Sequence, residues 1–219
     1  MCVAVVKPIG AEVHDDIIRA MFDNNRDGAG FAFVDEGKVR VFKGFMTVDE
    51  FLKVYREYEE KYKDKSHFLL HFRIATAGKV GMENCHPFTL STGDAMIHNG
   101  SFAATTYTCD YSDTRYIAEK VGPHLTKQLL AEKKEAIEKY IGLYNKMAFL
   151  HKDGTYTIIN EKDGSWKNGV WYSNLWFKSR LSWDHQKKLG LEPQTRQPSP
   201  YSGIPLSPGL DARYRPYDD

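Results

Sequence analysis

The chain has 219 residues, 42% of them apolar and with a formal net charge of +1, which suits one buried core with room for a small second unit and gives no field for nucleic acid or a membrane surface. No apolar stretch approaches the roughly 18–20 residues of a membrane span, and MCVAVVKPIG lacks the basic start and long apolar run of a signal peptide. Three dispersed cysteines form neither a disulfide framework nor, with the histidines, a zinc spacing, so a reducing cytoplasmic location is expected.

Val3–Val6 predicts a buried strand. Val13, Ile17, Ile18, Met21 and Phe22 recur at helical spacing across Glu12–Phe22. NNRDGAG (24–30) is loop chemistry, and FAFVDEGKVRVF (31–42) predicts a hairpin turning at DEGK. Thr47 and Glu50 form a capping-box pair that opens a helix to about Lys63. HFLLHFRIAT (67–76) is β-rich, and DAMIHNGSF (94–102) sets a strand before an Asn-Gly step. Asp113–Lys120 and Thr126–Tyr144 predict helices separated by Gly122–Pro123. KMAFLHKDGTYTIIN (146–160) predicts a second hairpin turning at Lys152-Asp153-Gly154, and GVWYSN (169–174) a further strand. From about Leu191 the chain holds six of its nine prolines and no period, which predicts a tail that need not fold alone. The order of elements predicts the α+β class, with sheets covered by helices. The expected division is a domain over 2–190 and a Pro-rich tail over 191–219.

Four places can carry chemistry. Cys2 follows the initiator methionine. Once Met1 is removed it holds a thiol and a free α-amine, and an α-amine titrates near 7.7–8.0, low enough to act as base. Its rivals are Cys85, beside His86 but on an extended segment whose neighbours point apart, and Cys109, in a polar connection without an obvious partner. Asn99 and Gly100 offer a side-chain amide and a backbone N–H, which can form an oxyanion hole or a plain Asn-Gly hairpin. Arg73, near the end of a buried strand, suits either a carboxylate ligand or a structural ion pair, with Thr76 close by. Asp113 can bind an ammonium group or cap a helix.

MC at the start, NNRDGAGFA (24–32), HFRIATAGKVGMENCHPF (71–88), IHNG (97–100) and SDT (112–114) occur in one order. Over roughly residues 2–175 this set resembles the glutaminase domain of class II glutamine amidotransferases, which are N-terminal nucleophile hydrolases. The resemblance implies an αββα sandwich of two antiparallel sheets between helical layers. It implies that Cys2 attacks the glutamine side-chain amide to give a γ-glutamyl thioester, with its α-amine moving the protons. Asn99 and Gly100 then hold the oxyanion, Arg73 and Thr76 the α-carboxylate, and Asp113 the α-ammonium. Asp27 and Gly28 belong to a glycine-rich turn near the nucleophile, and His86 of HPF is architectural. No cofactor and no metal are implied.

Many members carry an aromatic residue after the arginine and a histidine after the threonine, where this chain has Ile74 and Ala77. Members that build larger products attach a synthase domain, whereas about 45 residues follow Asn174 here. The expectation is therefore either a separate ammonia-accepting synthetase chain or a stand-alone amidohydrolase, with Tyr201, Arg213, Tyr214, Arg215 and Tyr217 as contacts of a docking tail. The rival readings are an N-terminal cysteine acylase on another amide and a regulatory module that keeps the fold without turnover.

Overall fold

The computed structural model describes residues 1–102, 110–188, 190 and 191; Cys109 and the Pro-rich segment 192–219 lie outside the described residues. The apolar run at the start becomes β1 (Val3–Lys7), buried along its whole length. After α1 (Asp15–Asn24) come β2 (Ala29–Asp35) and β3 (Lys38–Phe45). They turn at Glu36 and Gly37, with φ of 49° and 72°, the left-handed pair that matches the twist of a two-residue hairpin. The next elements are α2 (Val48–Tyr62), β4 (Phe68–Phe72), β5 (Phe88–Thr89) and β6 (Ala95–Asn99). Helices α3 (Asp113–Lys120), α4 (Lys127–Glu132) and α5 (Lys134–Ile141) precede β7 (Lys146–Leu150) and β8 (Tyr156–Ile159). The described chain closes with β9 (Ser165–Lys167), β10 (Val170–Tyr172) and α6 (Trp183–Lys188).

The strands form two antiparallel sheets, β3-β2-β4-β1-β10-β9 and β5-β6-β7-β8. Three apolar layers show how they stack. Ala4, Val6, Ala32 and Leu69 of the first sheet meet Ala95, Ile97, Ala148, Leu150 and Ile158 of the second. The other face of the first sheet packs on α1 and α2 through Ile17, Ile18, Met21, Phe51 and Tyr55. The other face of the second packs on α3, α4 and α5 through Ile117, Ala118, Leu130, Ile137 and Ile141. Helix, sheet, sheet, helix is thus a four-layer α+β sandwich, in agreement with the expectation from sequence.

Three local expectations need correction. The helix expected over Thr126–Tyr144 is two helices: Lys133 leaves helical geometry (φ −115°, ψ 16°), and α5 stops where Gly142 takes φ 74°, a conformation open to glycine. Helix α1 starts at Asp15 instead of Glu12, because His14 is extended (ψ 150°) and Asp15 and Asp16 fill the first turn, where the helix dipole favours acids. The loop expected over 24–30 ends two residues early, with Ala29 and Gly30 already paired to β4. The Thr47 cap is present: its hydroxyl oxygen accepts the Glu50 N–H at 3.4 Å and donates to the Glu50 carboxylate at 2.9 Å. Leu191, the first residue of the expected tail, is wholly buried in the α1 layer.

Candidate active site

Strand parity assembles the candidate residues. Ala4 of β1, Leu69 of β4 and Ile97 of β6 face between the sheets. Side chains alternate along a strand, so Cys2 at the mouth of β1, His71 and Arg73 at the end of β4, and Asn99 at the end of β6 are directed to that same face. The β1–β4 register, Val3 opposite Phe72, brings Cys2 beside the Arg73–Ile74 step. There the Ile74 N–H donates to Cys2 Sγ and the thiol donates to the Ile74 carbonyl, each at 3.4 Å.

Burial pushes the Cys2 thiol above its ordinary range; the Ile74 hydrogen bond, the chain's amino terminus and Arg73 work against that rise, and Asp113 adds to it. The thiol is therefore protonated at neutral pH and needs a base before it can attack. His71, His86 and His98 do not supply one, since none of them hydrogen-bonds the thiol. Burial lowers His71 to about 3, His98 to about 4 and His86 well below the usual imidazole range. His71 Nε2 faces the His98 carbonyl at 2.9 Å, which fixes the proton on that nitrogen. The His71 and His86 rings stack with centroids 3.9 Å apart. Cys85 and His86 do not pair: Cys85 Sγ donates to the Gly81 carbonyl at 3.4 Å.

Arg73 is only 2% exposed. Its Nη2 donates to the carbonyls of Ala77 at 3.0 Å and Gly78 at 3.5 Å, so the loop after β4 curls around one edge of the guanidinium. Nη1 is buried without a partner among the described residues. The structural Arg–Asp pair weighed from sequence is absent among the described residues. Thr76 is exposed on the same loop.

Asp113 is buried at the first position of α3. The N-cap is Ser112, whose hydroxyl accepts the Arg115 N–H at 3.1 Å, so the capping alternative for Asp113 is overturned. Its carboxylate instead accepts the N–H of Phe102 at 2.9 Å and of Thr114 at 2.7 Å, which ties α3 to the segment just after Asn99–Gly100. Asn84 joins this segment to the arginine loop: its amide donates to the carbonyls of Lys79 at 3.0 Å and Asp110 at 2.7 Å and accepts the Ser112 N–H at 3.0 Å. Gly78, at φ 69°, lies so close to the backbone of Tyr111 and Ser112 that a Cβ would not fit. The loop that follows Arg73 thus touches the residues that lead into Asp113 at the start of α3, and both charges act electrostatically on the Cys2 thiol.

Asn99 and Gly100 do not form the hairpin that their dipeptide favours, because β6 pairs with β5 and β7 on its two sides. Asn99 Nδ2 donates to Ser173 Oγ at 3.0 Å, and its Oδ1 is buried without a partner among the described residues. Gly100, at φ 150°, backs onto Asn145 with no room for a Cβ. Asp27 and Gly28 brace the Arg73–Ala75 backbone: Asp27 Oδ2 accepts the Ala75 N–H at 2.7 Å, and the Gly28 carbonyl accepts the Arg73 N–H at 2.8 Å.

Several contributors escaped the sequence reading. The Ile74 backbone holds the thiol, Asn84 stitches two loops, Asn25 Nδ2 donates to the Met1 carbonyl at 2.9 Å, and Asn174 Nδ2 donates to the Cys2 carbonyl at 2.7 Å. Only the last had a signal, a polar Ser-Asn pair closing an apolar strand. An apolar groove of about 780 Å³, lined by residues such as Phe102, Ile117, Leu125 and Ile137, lies on the helical side of the second sheet and does not include Cys2, Arg73 or Asn99.

A cysteine at the mouth of a central strand in a two-sheet sandwich is the arrangement that the resemblance to the N-terminal nucleophile hydrolases led one to expect. Residues 17–123 match the family model of the class II glutamine amidotransferases, and that segment holds Asp27, Arg73, Asn99 and Asp113. Among solved structures it is similar to glutamine phosphoribosylpyrophosphate (PRPP) amidotransferase from B. subtilis complexed with ADP and GMP, at 16% identity and a TM-score of 0.49. The similarity covers 78% of this chain and 41% of that one, so the chain spans less than half of that protein's length. No curated protein sequence matches it.

Proposed function

We propose that the chain hydrolyses the side-chain amide of glutamine, with Cys2 as nucleophile after Met1 is removed. The observation that carries this reading is the buried guanidinium of Arg73, with one nitrogen unpaired among the described residues, together with the Asp113 carboxylate at the start of α3. Free glutamine presents a carboxylate and an ammonium on one carbon, and a site for it needs one cation and one anion set apart from the thiol. Arg73 takes the α-carboxylate, with Thr76 at the rim, and Asp113 takes the α-ammonium.

The free α-amine of Cys2 accepts the thiol proton, and Sγ bonds to the amide carbon. The carbonyl π electrons move to oxygen, where a second N–H of Asn99 and the N–H of Gly100 stabilise the charge. The ammonium returns the proton to nitrogen, the C–N bond breaks, and ammonia leaves a γ-glutamyl thioester. Water, deprotonated by the same amine, then releases glutamate. Asp27, Gly28 and His86 hold the walls and touch no reacting atom. The ammonia goes to an acceptor enzyme.

The test compares glutamine hydrolysis by protein with Cys2 at its amino terminus, by Cys2→Ala and by Cys85→Ala. Cys2→Ala should lose activity by orders of magnitude and Cys85→Ala should keep most of it. Equal turnover of a γ-amide lacking the α-amine would replace glutamine with another amide and make the chain an acylase.

A further inference from the structure

Ser173 is 1% exposed and stands where the ladder between β1 and β10 ends. Its N–H donates to the Ala4 carbonyl at 2.9 Å, as an antiparallel partner should. The return bond is different: the Ala4 N–H donates at 2.9 Å to Ser173 Oγ, the side chain taking the place of a ladder carbonyl. That substitution points the hydroxyl across the sandwich, where the same oxygen accepts Asn99 Nδ2 at 3.0 Å. One serine oxygen therefore joins the strand of Cys2, in the first sheet, to the side chain of Asn99, in the second. The next residue repeats the clasp, with Asn174 Nδ2 donating to the Cys2 carbonyl at 2.7 Å.

We propose that Ser173 is a positioning residue, which orients the Asn99 amide for the oxyanion and fixes its separation from Cys2. The inference rests on the glutaminase reading. An asparagine amide has two N–H bonds; Ser173 takes one and so determines where the other points. Without that acceptor the planar amide turns about its last torsion, which is broad and soft, and presents either its oxygen or its nitrogen to the developing charge. An amide oxygen there repels an oxyanion, so the loss falls on the transition state rather than on glutamine binding.

The experiment is a double-mutant cycle on protein with Cys2 at its amino terminus, measuring kcat and KM for glutamine hydrolysis together with thermal unfolding. Ser173→Ala should lower kcat about 10- to 100-fold, less than loss of the Asn99 donor itself, with KM changed less than about threefold. Ser173→Thr, which keeps the hydroxyl, should recover most of the loss. In an Asn99→Ala background, Ser173→Ala should cost less than about twofold in kcat, because a residue acting through another has nothing left to lose. Should Ser173→Ala fail to fold, Ser173→Cys completes the same cycle, since a thiol is a poor acceptor. An unchanged kcat in the single variant, or equal losses in both backgrounds, overturns the inference. A wild type that does not hydrolyse glutamine overturns the reading beneath it instead.

Discussion

The two faces of the first sheet are built on opposite principles. On the helical face, Phe31 stacks on Phe42 with centroids 5.1 Å apart and meets Phe51 and Tyr55 edge-on at 5.8 and 5.5 Å. Phe33, Phe68 and Phe72 extend this aromatic layer, and the layer buries much of the apolar surface that holds the domain together. Of its buried polar groups, Lys7 is ion-paired with Glu59 at 3.4 Å and sits over the face of Phe68 at 5.0 Å, and the Tyr55 hydroxyl is without a partner among the described residues. On the inter-sheet face the apolar side chains are small, and toward the Cys2 end they give way to Arg73, His71, His86 and Asn99. Each of these four has a buried polar atom unpaired among the described residues. An unpaired buried group costs roughly 1–3 kcal/mol, so several at one end of a sandwich mark a place kept for binding and chemistry at the expense of stability.

Substitutions on the two faces should separate these roles. Phe31→Ala opens a cavity in the aromatic layer and should cost about 3–5 kcal/mol of unfolding free energy, measured by urea denaturation, while folded protein at low temperature keeps its activity. Arg73→Lys should do the reverse. An ammonium cannot reproduce the planar fork, so glutamine affinity should fall by about 2–5 kcal/mol with the urea midpoint nearly unchanged. Matching losses of stability in both variants would erase the distinction.

A smaller effect belongs to pH. His71 and His98 titrate at about 3 and about 4 in the folded chain, below the usual value near 6.5. The unfolded chain therefore takes up protons first as pH falls, and the stability present above about pH 6.5 drains away toward the folded values. Between pH 7 and pH 5, where few carboxylates titrate, each of the two should remove on the order of 2 kcal/mol. A flat urea midpoint across that window would mean that these imidazoles are charged or exposed. The smallest effect is expected from deleting 192–219. Leu191 is buried at the end of the described domain, so the melting temperature and glutamine hydrolysis should both stay close to those of the full chain. A shift of many degrees would show that the removed segment packs on the sandwich.

What the sequence made legible was local or ordered along the chain. The apolar run after Cys2, the hairpins at Glu36–Gly37 and Lys152–Gly154, and the cap at Thr47 follow from near neighbours. Arg73, Asn99 and Asp113 stood out because a family pattern fixes their order. Positions decided by distant partners were not legible. The Asn99–Gly100 step reads as a hairpin by itself, but pairing of β6 with β7, some fifty residues later in the chain, holds it open. Asn84 looks like an ordinary polar residue until the fold sets it against Ser112, and the Ser173-Asn174 pair, though it closes an apolar strand, does not by itself point to Asn99. The break at Lys133 carries no proline or glycine and left no mark in the period.

The account stands on Cys2 with a free α-amine as the nucleophile toward glutamine. Processed protein mixed with glutamine, quenched in acid within the turnover time and examined by peptide mass spectrometry reports on it directly. The prediction is a glutamyl group on the amino-terminal peptide at Cys2, accumulating in wild type, absent from Cys2→Ala and absent from protein that retains Met1. A glutamyl group on Cys85, or full glutamine turnover by protein that retains Met1, would contradict it.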